Sequence, residues 1–224
     1  MIPIHEVNEA ADIIRVAIDM LEATSVKQIG RQGSDLRRAC GDMKANAEKY
    51  IVANVIAPKL AYCFDQARVT GATLDQLNRI REAMVAETPV ALVSVLMTQS
   101  CIAFSLQQMA LALIAITFTS REDVVAMRQE LNAAFKASEE VAADAMAQET
   151  YITLVQLHAA VMFHLYETAR PLPQMLNFEF KAVQPTLIQS YRLYADADRA
   201  DELRAENKVV HPAFPPRMGL ALSF

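Results

Sequence analysis

One helical phase runs from Val124 to Ala169 and restricts this chain more than any other pattern in it. Val124, Leu131, Phe135, Ala142, Ala145, Ile152, Val155, Ala159, Met162 and Tyr166 recur at steps of three and four, or their sums. As one continuous helix this would span about 70 Å at 1.5 Å per residue. A compact single domain does not hold such a rod easily, so the pattern predicts an antiparallel bundle or a strut in an assembly. Polar residues at Gln148–Thr150 mark the expected break. Ser120-x-x-Asp123 fits the start of the helix, and Arg170-Pro171-Leu172-Pro173 its end.

The rest of the first 169 residues also reads as helix. Val7, Ala10, Ala11, Ile14, Ala17, Ile18 and Leu21 form one stripe, with an end at Thr24-Ser25. After Gly30 and Gly33, Ser34 is the expected cap of a second helix, with Pro58 kinking or ending it. Thr73-x-x-Gln76 reads as a capping box. Thr88, followed by Pro89, is the expected cap of the next helix. No charged residue stands between Thr88 and Ser120. That length permits a membrane span, but Gln99, Ser100, Gln107 and Gln108 interrupt it, so a central helix surrounded by others is the preferred reading. There the glutamines would pair between helices, at an oligomer axis among other arrangements.

The net charge of −5 argues against a dedicated non-specific DNA binder, whose affinity comes mainly from neutralising phosphates. Lys27, Arg31, Arg37, Arg38, Lys44, Lys49 and Lys59 nonetheless make one region locally basic, against Asp35, Asp42 and Glu48. Arg31, Arg37, Arg38 and Lys44 are the candidates for contact with DNA or an acidic partner. Cys40, Cys63 and Cys101 are too widely spaced for a zinc motif and read as buried free thiols. The amino-terminal residues lack the basic region of a signal peptide.

No catalytic constellation assembles in the sequence. His158 and His164 are out of phase for chelation on one helix. The acidic runs Glu139-Glu140-Asp144-Glu149 and Asp196-Asp198-Asp201-Glu202 read as solvent-facing. Phosphate-loop and nucleophile motifs are missing as well. The expectation is a protein that is not an enzyme, with no cofactor and no metal.

The carboxyl-terminal stretch has a different grammar. Leu176–Val183 alternates at strand period, with Phe178 and Phe180 on one side. Pro185 opens a helix carrying Leu187, Ile188, Tyr191 and Tyr194. Asp196 or Asp198 caps a second helix with Leu203, and Asn207 suits its stop. His211-Pro212-Ala213-Phe214-Pro215-Pro216 is a proline loop, and Gly219–Phe224 returns to strand period.

That strand–helix–helix–strand order, with Tyr194-x-Asp196, Asn207 and the proline loop, resembles a LysM module. The segment Tyr191-Arg192-Leu193-Tyr194-Ala195-Asp196-Ala197-Asp198-Arg199-Ala200-Asp201-Glu202-Leu203, then Asn207 and His211-Pro212-x-Phe214-x-Pro216, is similar to the carboxyl terminus of the Mu-like phage DNA circularisation (DNA circulation) proteins. Thr119-Ser120-Arg121-Glu122-Asp123 and Ala169-Arg170-Pro171-Leu172-Pro173 resemble the helical middle of the same family. Its members usually carry glycine where Ala195 and Ala213 stand, and longer ones begin with a β-rich tube-like domain that this sequence does not show.

The fold class expected is mainly α: a long-helix bundle over 1–169, a proline linker over 170–175, and a small β-α-α-β LysM-like module over 176–224. Phe178, Phe180, Tyr191, Tyr194, Leu203, Phe214 and Leu222 are the expected module core, with His211 a loop hydrogen-bonder beside Pro212 that positions Phe214. The resemblance implies a structural virion protein of a phage tail, at the baseplate hub or tail-tube junction, assembled in the host cytoplasm. Its partners would be other tail and baseplate proteins and copies of itself in a ring. The alternative is a DNA-end-binding protein that circularises injected phage DNA. Peptidoglycan binding through the module, and membrane insertion of the uncharged helix, are less favoured readings.

Overall fold

The structure is a computed structural model that describes residues 2–24 and 30–223. Ser25 and Lys27 of the expected loop and basic region, and Phe224 of the expected last strand, lie outside the described residues. The chain is mainly helical with a small two-stranded antiparallel sheet. Helices α1 (Ile4–Thr24), α2 (Arg31–Val52), α3 (Ile56–Val69), α4 (Leu74–Ala86), α5 (Leu92–Leu113), α6 (Arg121–Asp144) and α7 (Gln148–Ala169) come first. Strand β1 (Met175–Glu179), α8 (Thr186–Tyr194), α9 (Ala200–Glu206) and β2 (Met218–Leu222) follow.

Two compact units divide the chain, one of Met1–Ile116 with Leu131–Met162, the other of Thr117–Glu130 with Phe163–Phe224. The second unit is therefore larger than the stretch 176–224, because it also takes the first turns of α6 and the last turns of α7. Residues 170–175 are not a free linker in it. The Arg121 N–H donates to the Pro173 carbonyl at 2.9 Å, and the Met175 N–H donates to the Glu122 carboxylate at 2.8 Å.

In the first unit, the stripe of α1 is buried as its spacing predicts, with Ile13 added. It packs against α2, α4 and α5. α5 is the central helix, in contact with α1, α3 and α4. It is long and apolar enough to cross a membrane, but one face of it, including Cys101, Ile102, Leu106 and Met109, is buried in this unit. Two of its three glutamines find partners inside the chain, and Gln107 is exposed. The Gln108 side-chain oxygen accepts from Arg68 of α3 at 2.7 Å, and the Gln99 amide donates to the Val141 carbonyl at 3.2 Å. Ser94, Thr98 and Ser105 are also buried, and the Thr98 and Ser105 hydroxyls donate to carbonyls four residues earlier.

Several helix ends differ from expectation. α2 starts at Arg31, before Ser34, from Gly30 at φ 144°, a conformation open to glycine. It ends at Val52 beside Asn54 at φ 53°, and Pro58 lies in the first turn of α3, where its missing N–H costs nothing. α5 starts at Leu92 rather than at Thr88-Pro89. Its amino end is held by Glu9 of α1, whose carboxylate accepts from the Val90 and Ala91 N–H groups at 2.8 and 3.3 Å. By contrast, Thr73 and Gln76 form the expected capping box, and Ser120 and Asp123 bond each other reciprocally.

The long phase is broken between Asp144 and Gln148, with Met146 at φ 53°. The break expected near Gln148–Thr150 is present and falls just before that polar cluster, which opens α7. Past this turn the phase no longer predicts burial. Leu154, Val161 and Leu165 are buried, whereas Ile152, Val155 and Tyr166 are 46%, 39% and 56% exposed. α6 keeps its predicted face, with Val124, Leu131, Phe135 and Ala142 buried.

In the second unit, β1 and β2 pair antiparallel with Met175 opposite Leu222 and Phe178 opposite Gly219. Tyr194, Leu203 and Ala221 form the core, with Phe178 and Leu193 packed against it. α8 ends on Ala195 at φ 56°, the left-handed position that glycine takes without strain. Ala213, the other expected glycine position, has no positive φ. Ala195→Gly is expected to stabilise the second unit by about 1 kcal/mol, read as a raised urea midpoint; an unchanged or lowered midpoint would contradict the left-handed cap.

Candidate functional site

The carboxyl-terminal module presents the best-defined candidate surface, and α8 is its organising element. This helix is amphipathic in reverse. Thr186, Gln189, Ser190 and Tyr194 face inward, while Leu187, Ile188 and Tyr191 are 60%, 46% and 63% exposed. The inward polar side chains are held by loop carbonyls. The Thr186 N–H and hydroxyl donate to the Pro212 carbonyl at 2.8 and 3.1 Å, Gln189 donates to the Pro216 carbonyl at 3.0 Å, and Ser190 donates to the Asp196 carbonyl at 2.6 Å. A proline-rich loop has many carbonyls and few donors, so donors must come from the helix beneath it. Leu187, Ile188 and Tyr191 are left to point outward, while Leu193 and Tyr194 pack at the core.

The expected core residues divide accordingly. Tyr194 and Leu222 are buried, Phe178 is half-buried in the core, and Phe180 packs against Phe178 with ring centroids 5.3 Å apart. Tyr191 and Phe214 are not core residues: Phe214 is 75% exposed. His211 bonds within the loop, its Nδ1 accepting from the Ala213 N–H at 3.2 Å and its ring lying 5.3 Å from that of Phe214. Arg199 stacks on the Tyr194 ring at 3.8 Å and reaches the Glu202 carboxylate at 2.6 Å. Burial and, less strongly, Glu202 push the Tyr194 hydroxyl upward from its ordinary pKa.

Asn207 locks the module. Its amide NH2 donates to the Leu203 and Leu220 carbonyls at 2.9 and 2.7 Å, and its oxygen accepts from the Leu220 N–H at 2.7 Å. The side chain thus stops α9 and imitates a neighbouring strand along β2. Gly219 makes room for it: a Cβ there would stand 2.1 Å from the Asn207 oxygen. The sequence gives Asn207 as a helix stop but does not reveal its second bond set, because that depends on where β2 returns.

The basic residues of α2 do not gather into one open cationic surface. Lys44 is paired with Asp19 and Glu22 of α1, which raise its pKa, and Arg15 of α1 is paired with Glu48, whose pKa it lowers. Asp35 takes Arg38 at 3.4 Å and Arg31 at 3.9 Å. Lys59 lies over the Tyr50 ring and pairs with Asp42 at 3.4 Å. Arg37 is exposed and has no carboxylate partner among the described residues. The α2 cations thus mostly face acids of this chain, which leaves less charge for phosphates.

A polar pair that sequence reading misses lies in the first unit. Glu139 of α6, expected in solvent, reaches His158 Nδ1 of α7 at 2.9 Å, with the two side chains only 16% and 14% exposed. The imidazole stacks on Phe135 at 4.9 Å and 3°. Its Nε2 is buried with no partner among the described residues, so this nitrogen is closed to a substrate from solution. Nothing local pairs positions 139 and 158; the turn around Met146 brings them together.

Cys40, Cys63 and Cys101 are free and buried. Burial pushes the Cys101 thiol up to about 12, and a hydrogen bond with Cys63 together with burial raises Cys40. Native protein is therefore expected to resist Ellman's reagent, with the cysteines reacting in guanidinium; rapid reaction of the native protein would contradict this burial. Among the described residues no group of three or more His, Cys, Asp or Glu side chains is placed to hold a metal ion. No protein-family model matches the chain, and no curated protein matches it.

Proposed function

We propose that this chain is a non-enzymatic structural component of a phage tail, at the baseplate hub or tail-tube junction, that acts by protein–protein assembly. The observation that carries the assembly part is the reversed amphipathicity of α8. Leu187, Ile188 and Tyr191 are turned to solvent by a helix whose polar side chains are consumed inside the module. Exposed apolar clusters of this kind mark interaction surfaces. The tail location rests on the resemblance of Tyr191–Leu203, Asn207 and His211–Pro216 to the circularisation family. The pairing of Lys44 with both Asp19 and Glu22 favours assembly over the DNA-end reading.

The test is cryo-electron microscopy of purified particles, with mass spectrometry identifying the chain. A fixed copy number at the baseplate or tube end, with α8 in an interface, is the expected result. Absence from particles, or particles in which α8 faces solvent, would overturn the reading. A salt-sensitive gel shift lost on Arg37→Glu/Arg38→Glu would move DNA binding to the front.

A further inference from the structure

The heptad phase of α7 marks a face that this chain leaves open. Leu154, Val161 and Leu165 of the helix are buried. Ile152, Val155, Ala159, Met162 and Tyr166, at steps of three and four, form a second stripe about 100° around the helix from them. Met162 is half-buried and the other four are exposed. Phe163, 66% exposed, flanks the stripe. No residue between Glu149 and Glu167 is an Asp, Glu, Lys or Arg, whereas α6 exposes Arg128, Glu130, Lys136 and Glu140. An uncharged, apolar helix face of this length turned to water calls for a partner.

A stripe of period 3.5 is covered best by a helix that carries the same period. The outer face of α5 is apolar as well, but it repeats at eleven residues, from Leu92 through Ala103 to Ile114 and from Leu96 to Gln107. That repeat winds in the opposite sense. The seam that matches α7 is α7 itself. With Phe163 it offers roughly 500 Å² per copy, or about 1,000 Å² over a pair, where stable interfaces begin. Its ends set the direction. Glu149, exposed at the amino end, has no cationic partner among the described residues. Arg170, 66% exposed just past the carboxyl end, gives one guanidinium nitrogen to Glu167 at 3.2 Å, and its fork has donors for a second carboxylate. In a parallel pair Glu149 would face Glu149. In an antiparallel pair it faces Arg170.

We propose that α7 pairs with α7 of a second copy of this chain, as a short antiparallel coiled coil about a two-fold axis level with the peptide bond between Ala160 and Val161. Ile152 then lies opposite Ala169, Val155 opposite Tyr166 and Ala159 opposite Met162. Every layer sets a smaller side chain against a larger one, so the layers fill evenly. On the flank of the seam Glu149 of each copy meets Arg170 of the other, and Gln156 meets Phe163. The contact is isologous, with the same residues serving both partners. It goes beyond the proposed tail function and does not depend on it.

Sedimentation equilibrium of the full chain tests the contact. The expected result is a concentration-dependent dimer, weak because the seam is short. Ala159→Glu keeps a good helix former at an exposed position and sets a carboxylate in the middle of the seam. It is expected to abolish the dimer with unchanged circular dichroism. Val155→Lys places a charge one turn away with the same expected result, and stands in if the first variant does not fold. Glu149→Arg brings like charges together at both ends and is expected to weaken the dimer about tenfold. Glu149→Arg/Arg170→Glu reverses the pair and is expected to return the affinity. A monomer at about 1 mM, the weak limit of specific association, would overturn the proposal. So would a dimer that survives both seam variants, one that Glu149→Arg leaves unchanged, or a charge reversal that restores nothing. A dimer lost instead on Tyr191→Glu would overturn it too, by assigning the contact to α8.

Discussion

Phe135→Ala is expected to destabilise the first unit by about 3–5 kcal/mol, the ordinary cost of truncating a fully buried aromatic. Phe135 is 0% exposed, and its ring is the surface on which His158 stacks. Its loss leaves a cavity and releases the imidazole that holds Glu139. Phe135→Leu keeps most of the volume and is expected to cost about 1–1.5 kcal/mol. Urea unfolding followed by far-ultraviolet circular dichroism reads both. A loss below about 1 kcal/mol for the alanine variant would mean that α6 and α7 are not packed together at this level.

Gly219→Ala is expected to cost the second unit about 2–4 kcal/mol, a large penalty for one methyl group. The new Cβ would stand 2.1 Å from the Asn207 oxygen and 2.9 Å from its Cγ, so the amide must leave. Its bonds to Leu203 and Leu220 go with it, and the Phe178 ring at 3.1 Å must also give way. Overpacking and lost hydrogen bonds add here. Asn207→Ala alone loses the same bonds without the clash and is expected to cost about 1–2 kcal/mol. The double variant should be little worse than Asn207→Ala, because the obstacle to the methyl group is gone. Strict additivity of the two losses in a double-mutant cycle would show that Gly219 is needed for some other reason.

Much of the fold was legible in features whose chemistry is local. The α1 stripe, the Thr73–Gln76 box, the Ser120–Asp123 pair and the strand–helix–helix–strand order depend on residues within a few positions of each other. The ends of α2 and α5 were misread for the opposite reason. Ser34 and Thr88 have the right chemistry for caps, but Gly30 supplies the earlier turn and Glu9 holds the later amino end. Periodicity failed on α7 because Met146 turns the chain, after which a face in phase with Phe135 is no longer the face toward the core. Tyr191, expected in the core from its helical spacing, and Phe214, expected there as the anchor of the proline loop, both lie outside it. The proline loop's demand for donors turned Thr186 and Gln189 of α8 inward and left Leu187, Ile188 and Tyr191 outside. The candidate surface was therefore visible in its residue types and hidden in its orientation.

The bond from Glu9 to the backbone at Val90 joins positions 81 apart in the chain. It therefore forms only once α1 and the segment before α5 have been brought together, a closure over a long stretch of chain. Made on a ribosome, α1 waits through the synthesis of α2, α3 and α4 before the turn it caps exists. The amino end of the central helix therefore depends for its carboxylate cap on a helix made long before it.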